Sequence, residues 1–175
     1  MDTTLEQRFA RGAAMEGRSL YGVAAPFGSE TRIADFKEII AAGAFTSSLA
    51  SGADVLALAD HDPTKVLGRT STGTLQLRET SEGLEYRLTL PDTTVGNDLR
   101  ALAARGDLGG VSFGFRAIRD SWAGEVRTLH EVELHEVSIV SAWPAYAKTT
   151  VSLRSRQSSE RDQLGALRLF LETCR

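Results

Sequence analysis

A β-hairpin is the clearest structural pattern in the sequence. Residues 74–80 and 84–90 each alternate apolar and polar side chains, and a short connection ending in glycine separates them. Before residue 154, only segments 43–50 and 94–105 have the apolar spacing of a helix. Further strand-like runs lie at 19–27, 54–59, 111–118, 126–129, 132–140 and 149–153. This pattern predicts a mainly β protein, an antiparallel barrel that is closed or nearly closed, with helices packed outside.

Composition narrows the class of protein. The chain has 175 residues, of which 42% are hydrophobic and 25% charged, as expected for one soluble globular domain. A net charge of −3 gives no reason to expect a nucleic-acid partner. No apolar run is long enough to span a membrane, and the charged N-terminus does not resemble a secretory signal. With Cys174 as the single cysteine, internal disulfides and multi-cysteine zinc sites are excluded, and a cytosolic protein is expected.

Three regions are expected along the chain. Residues 1–18 are interpreted as an N-terminal extension, 19–153 as the folded domain, and 154–175 as a linker and helix, the C-terminal tail. From Ser152 onward there are five arginines and three acidic residues, so this end is basic whereas the rest is acidic. The tail is either docked on the domain, a tether to a partner, or a segment removed during maturation.

A serine beside glycines is the most informative candidate for chemistry. In segment 106–115, the large apolar residues fall on one face of a strand, and Ser112 and Gly114 fall on the other. Such glycines would let a substrate carbonyl approach the hydroxyl, although glycine beside serine is also typical of bulges and bends.

Serine needs a base to become a good nucleophile, and the chain contains three histidines, His61, His130 and His135. His61 follows an apolar strand and stands between two aspartates, at the boundary between a strand and a loop. It is either a base in a cleft or a solvated loop residue.

A carboxylate in the last long strand is the candidate third group. Strict alternation places Glu136 on the same face as Leu134, Ser138 and Val140, with His135 opposite. Because burying an unpaired charge is costly, Glu136 is expected to have a partner. It could orient a histidine, form a structural ion pair, or belong to an exposed row on an edge strand.

Two motif matches point elsewhere. Residues 110–114 fit the GxSxG string of α/β-hydrolases, with Asp120 and His130 following in that family's order, but the sequence after Ser112 continues like a strand rather than a helix. His130 and His135 are one residue too far apart for the HExxH zinc motif, and their segment has a strand-like pattern.

Several blocks together resemble one family, the prohead (capsid maturation) proteases of tailed phages. The resemblance depends on their order and spacing and extends from about residue 19 to about residue 153. The blocks are Gly22-Val23-Ala24-Ala25-Pro26-Phe27, Gly43-Ala44-Phe45, His61-Asp62-Pro63 with Leu67-Gly68-Arg69, residues 106–115, and residues 136–140 with Pro144-Ala145-Tyr146.

This resemblance implies a fold similar to the herpesvirus assemblins, which are serine proteases with a β-barrel ringed by helices. It implies Ser112 as nucleophile and His61 as general base. Assemblins use a second histidine as the third member. The matching position here is Glu136, so the resemblance implies that an acidic residue takes the orienting role, with Glu133 and His135 as rival candidates. No metal ion or organic cofactor is implied.

The resemblance also implies backbone donors for the oxyanion after the strand that carries Glu136. Pro144 has no N–H, so Ala145 and Tyr146 are the candidates.

The function implied is that of a serine endopeptidase that processes capsid and scaffold proteins during prohead maturation and also cleaves itself. Its partners would be the major capsid protein and a scaffold or delta segment, with assembly of the chain into a homo-oligomer also compatible with this reading. It would act in the host cytoplasm, inside assembling proheads. The alternatives are a non-catalytic assembly or scaffold protein with an inactive protease-like barrel, and an unrelated β-barrel binding module.

Overall fold

Eleven strands and two helices make up residues 4–10 and 13–142, the part of the chain that this computed structural model describes. The mainly β fold class is therefore confirmed. In chain order the elements are β1 (Glu6–Ala10), β2 (Ala14–Glu16), β3 (Ser19–Pro26), β4 (Thr31–Ile33), β5 (Phe36–Ile40), α1 (Thr46–Ala50), β6 (Leu56–Ala59), β7 (Asp62–Arg69), β8 (Leu75–Glu79), β9 (Gly83–Thr89), α2 (Thr94–Arg105), β10 (Gly110–Ala123) and β11 (Val126–Val140).

The strands form two sheets. The larger sheet runs β1-β10-β11-β5-β4, and β6 and β7 extend it from the far half of β11. The smaller sheet has the order β2-β3-β9-β8 and is antiparallel throughout. Neither sheet closes on itself within the described residues, so the expected closed barrel is not confirmed.

The long strand β11 organises the larger sheet. One edge pairs with β10, and the other pairs in parallel with β5 near its start and with β6 near its end. The two runs predicted at 126–129 and 132–140 are thus one continuous strand. β11 therefore links the segment that carries Ser112 with the segment that leads to His61.

The hydrophobic core lies between the sheets. Phe113 and Phe115 of β10 point into it together with Leu20 of β3 and Leu88 of β9, and all four are buried. The ring of Phe45, just before α1, packs edge-on against Phe113 with ring centroids 5.7 Å apart. One face of β10 therefore packs in the core, and the opposite face, which carries Ser112, does not.

A bulge in β11 changes which residues share that opposite face. Gly114 pairs with Glu136, but the next residue of β10, Phe115, pairs with Leu134, so His135 is skipped. Leu134 consequently belongs to the core face, whereas Glu136 and the residues after it keep the alternation. The expectation that Leu134 shares a face with Glu136 is wrong for this reason.

The predicted hairpin and the helix at 94–105 are present. β8 and β9 are antiparallel neighbours, with Leu77 opposite Tyr86. Helix α2 begins after Thr93, whose hydroxyl accepts a hydrogen bond from Gly96 N at 3.2 Å, and ends at Gly106 in the left-handed region.

Candidate active site

Ser112 lies in a three-stranded part of the larger sheet, between β1 and β11. It is directly opposite Phe9 of β1 on one side and Ser138 of β11 on the other, and its side chain faces away from the core. Its residue is only 3% exposed. Since directly opposed residues share a face, Ser112, Gly114, Glu136 and Ser138 all line one surface of the sheet.

The hydroxyl of Ser112 is hydrogen-bonded toward β1. Its Oγ donates to the backbone carbonyl oxygen of Arg8 at 2.7 Å. The proton that a base would have to take is therefore directed at the N-terminal strand in this conformation.

His61 lies in a tight turn between β6 and β7. Ala59 pairs with Asp62, so Asp60 and His61 alone connect the two strands, and both have positive φ values, 51° and 59°. Two positive φ angles are typical of the type I′ hairpin turn. Asp60 tolerates this backbone and secures it, because its carboxylate accepts hydrogen bonds from the Ser141 N–H and hydroxyl, both at 2.8 Å.

The turn brings His61 back over β11, where its Nδ1 is in hydrogen-bonding contact with Oε1 of Glu136. Because an ionised carboxylate can only accept, Nδ1 is the donor and Nε2 is left to act on another group. The Glu136 side chain is 10% exposed and that of His61 is 23% exposed, so the ring reaches solvent while its partner is largely enclosed. The amide of Gln7 also donates to Oε1 of Glu136, at 3.4 Å.

The ladder places this pair close to the serine. Glu136 is diagonal to Ser112 across β10 and β11. The backbones of diagonal neighbours are about 7–8 Å apart, and long or aromatic side chains can bridge that distance. His61, bound to Glu136, projects from the same side of the sheet. Among the described residues Ser112 has no hydrogen bond to His61, since its hydroxyl is bound to Arg8 instead.

The rival residues lie elsewhere. Glu133 accepts a hydrogen bond from Arg116 at 2.7 Å, and His135 Nε2 lies 3.7 Å from Glu133. His130 is hydrogen-bonded to Ser121 at 2.7 Å, near the far end of β10 and β11. Of the candidate third members, Glu136 is thus the one in contact with His61.

Asp62, the other neighbour of His61, faces away from the site. Its carboxylate accepts hydrogen bonds from the side chain and backbone N–H of Thr64, and these, with Lys65, lower the pKa of Asp62 to about 2. Asp62 is therefore the first residue of β7, and its carboxylate is engaged by Thr64 and Lys65 rather than by His61.

The hydrolase and zinc motifs do not match this geometry. β10 continues as a strand from Ser112 to Ala123, where an α/β-hydrolase has a helix. His130 and His135 lie on a strand, β11, rather than on one face of a helix. In residues 4–10 and 13–142, no group of three or more His, Cys, Asp or Glu side chains is placed to hold a metal ion.

Three contributors to the site escaped sequence reasoning. Asp60 anchors the turn, the carbonyl of Arg8 holds the serine, and Gly114 makes room for Glu136. Of the three, only Gly114 stands out in the sequence, where it indicates space for a substrate carbonyl. A Cβ on Gly114 would lie 2.7 Å from Cγ and 2.9 Å from Oε1 of Glu136, so the carboxylate occupies that space.

Gly114→Ala is therefore expected to displace the Glu136 carboxylate and lower the rate of catalysis by about 100-fold, the scale of a misplacement near 1 Å. The backbone of Gly114 is not in the left-handed region, so the variant should fold. Thermal melting and the rate of peptide cleavage measure the two effects.

Gly68→Ala is the matched control. Its new methyl would press on Leu88 and Thr74, between the sheets, and not on the site. It should lower the melting temperature and have little effect on the rate of peptide cleavage. Unchanged catalysis in Gly114→Ala would contradict the assigned role of that glycine.

The expected oxyanion donors, Ala145 and Tyr146, lie outside the described residues, as does the C-terminal tail.

Within the described part, no helix has the length and apolar character needed to cross a membrane.

Two comparisons with known proteins give a family and a similar fold. A family model described as caudovirus prohead serine protease matches residues 4–163. Among solved structures, the fold is similar to that of the bacteriophage T4 capsid assembly protease gp21, with a TM-score of 0.57 and 14% sequence identity. That match covers 78% of this chain and 96% of the T4 chain. No curated protein sequence matches the chain.

Proposed function

The chain belongs to the caudovirus prohead serine protease family, and on that premise we propose that it is a serine endopeptidase with Ser112 as nucleophile. The observation that carries the proposal is the contact between the His61 imidazole and the Glu136 carboxylate, on the same face of the sheet as Ser112. An imidazole held by a carboxylate beside a serine is the arrangement that activates a hydroxyl for attack on a peptide carbonyl.

The roles follow from which atoms are engaged. Glu136 holds Nδ1 of His61 and stabilises the imidazolium that forms when Nε2 takes the proton of Ser112. The serine oxygen then attacks the substrate carbonyl, and His61 returns the proton to the leaving amine. A water molecule, deprotonated by the same histidine, hydrolyses the acyl-enzyme. The proposal keeps Ala145 and Tyr146 as the backbone donors to the oxyanion.

The substrates in this proposal are the capsid protein and the scaffold or delta segment of an assembling prohead, within the host cell. The solved structure that the fold resembles is that of a capsid assembly protease, which supports this substrate class. Self-cleavage is also proposed, with the basic C-terminal tail as an element for packaging or removal. The expected end of the domain near residue 153, where that tail begins, stays a prediction.

Co-expression with the capsid protein of the same phage tests the proposed function. The wild-type chain is expected to shorten the capsid protein, as seen on denaturing gels and by mass spectrometry, and Ser112→Ala is expected to leave it intact. Removing one hydroxyl should not unfold the protein, and a melting curve verifies this. Equal processing by the wild type and Ser112→Ala would reject Ser112 as the nucleophile. Processing by neither would favour the alternative of a non-catalytic assembly protein.

A further inference from the structure

A second buried serine faces the nucleophile. Ser138 lies directly opposite Ser112 across β10 and β11, where Cβ atoms of paired residues are about 4.5–5.5 Å apart. It is 0% exposed, and among the described residues its Oγ has no hydrogen-bond partner. Buried hydroxyl groups nearly always have a partner, so the Ser138 hydroxyl is available to a group that moves within its reach.

The bonding of Ser112 indicates which group that is. Its hydroxyl points to Arg8 on β1, but β1 and β11 flank β10 on opposite edges, and the histidine is held on the β11 side by Glu136. To give its proton to His61, Ser112 must rotate about its Cα–Cβ bond into another staggered rotamer. That rotation carries its oxygen away from Arg8 and toward Ser138.

We propose that Ser138 is a positioning residue, which holds the rotated Ser112 hydroxyl in line with His61. In that state the Ser138 hydroxyl donates to Ser112 Oγ, and Ser112 donates to Nε2 of His61. Ser138 keeps its own proton throughout, and its donated hydrogen bond favours the negative charge that develops on Ser112 Oγ. This inference rests on the proposed function, because it assumes that Ser112 is the nucleophile.

The proposal separates stability from reactivity. Ser138→Ala removes a hydroxyl that has no partner in the resting structure, so its melting temperature should equal or exceed that of the wild type. Its reactivity at Ser112 should fall by about 10-fold, the effect of losing one hydrogen bond in the reactive state. Ser138→Cys has a similar volume and a weaker donor, so its reactivity should lie between those of the wild type and Ser138→Ala.

Ser48→Ala is the matched control and should behave in the opposite way. Ser48 is also a buried serine that contacts β11, but its Oγ has a partner, the Leu134 N–H, which donates to it at 2.9 Å. Its removal leaves a buried N–H unsatisfied and does not alter the face that carries Ser112. We expect a lower melting temperature and an unchanged reactivity.

The experiment measures covalent labelling of the full chain by a fluorophosphonate, with the modified serine located by peptide mass spectrometry. The labelling rate is recorded across pH for the wild type and the three variants. The proposal expects Ser138→Ala to be labelled more slowly than the wild type by the same factor at every pH, since the contact between His61 and Glu136 is retained.

The outcomes are separable. Equal labelling rates in wild type and Ser138→Ala would overturn the positioning role and leave the nucleophile assignment standing. Slower labelling together with a lower melting temperature in both Ser138→Ala and Ser138→Cys would assign Ser138 a structural role and also overturn the inference. A wild-type chain that is not labelled at Ser112 would reject the proposed function itself.

Discussion

His61→Ala is expected to slow peptide cleavage by a factor of about 10⁴ to 10⁶, and Glu136→Gln by about 10⁴. Alanine removes the base, so the hydroxyl of Ser112 keeps its proton. Glutamine nearly preserves the shape of Glu136 but removes the charge that stabilises the imidazolium, and its amide can present a donor to Nδ1 of His61. The ring would then be held in the wrong tautomer.

Rates of cleavage of the capsid protein by the purified variants measure this effect. Two controls use residues that sequence reasoning could not separate from the site. His130→Ala alters an imidazole bound to Ser121, and Glu133→Gln alters a carboxylate bound to Arg116, so both should retain the wild-type rate. A Glu136→Gln variant as fast as Glu133→Gln would remove Glu136 from the mechanism.

The second large effect is expected on stability, in a cluster of four charges, of which Glu6, Glu38 and Arg127 are buried and Arg8 is partly buried. Arg127 donates to both carboxylate oxygens of Glu6, at 2.7 and 3.0 Å, and contacts Glu38 at 3.3 Å. Arg8 contacts the same two glutamates, at 2.6 and 2.5 Å. Burial alone would lower the pKa of Arg127, but hydrogen bonds and charge from Glu6 outweigh this and raise it. The four charges balance, and the cluster joins β1, β5 and β11.

Arg127→Met is expected to destabilise the fold by about 3–5 kcal/mol, because two buried carboxylates are left with one guanidinium. For a chain of this size that corresponds to a fall in melting temperature of about 10 °C. Chemical denaturation and thermal melting both measure it.

Arg78→Ala is the control, since its ion pair with Glu85 lies at the surface and should contribute less than about 1 kcal/mol. The double variant Glu6→Gln with Arg127→Met should recover part of the loss, because it restores charge balance. A melting temperature for Arg127→Met equal to that of Arg78→Ala would show that the cluster does not stabilise the fold.

Local patterns made part of the fold predictable. The alternation in β8 and β9 and the apolar spacing of α2 are properties of short segments, and the structure contains both. The face shared by Ser112 and Gly114 follows from the same alternation along β10.

Long-range effects account for what was not predicted. β1 has no strand-like pattern, because it contains the charged residues Glu6 and Arg8. Their partners are Arg127, which is more than a hundred residues away, and Glu38 on β5. The strand β7 begins within the polar segment after His61, and the bulge at His135 shifts the alternation of β11. No spacing in the sequence placed His61 on Glu136; that expectation came from a family resemblance.

The position of β1 links the N-terminus to the reactive serine. β1 is the outermost strand beside β10, its Arg8 side chain belongs to the charge cluster, and its Arg8 carbonyl holds the Ser112 hydroxyl. A deletion that starts the chain at Ala13 would leave the hydrogen-bonding edge of β10 open and two charges of the cluster missing. A shortened protein made by removing that end would therefore have an altered environment around Ser112.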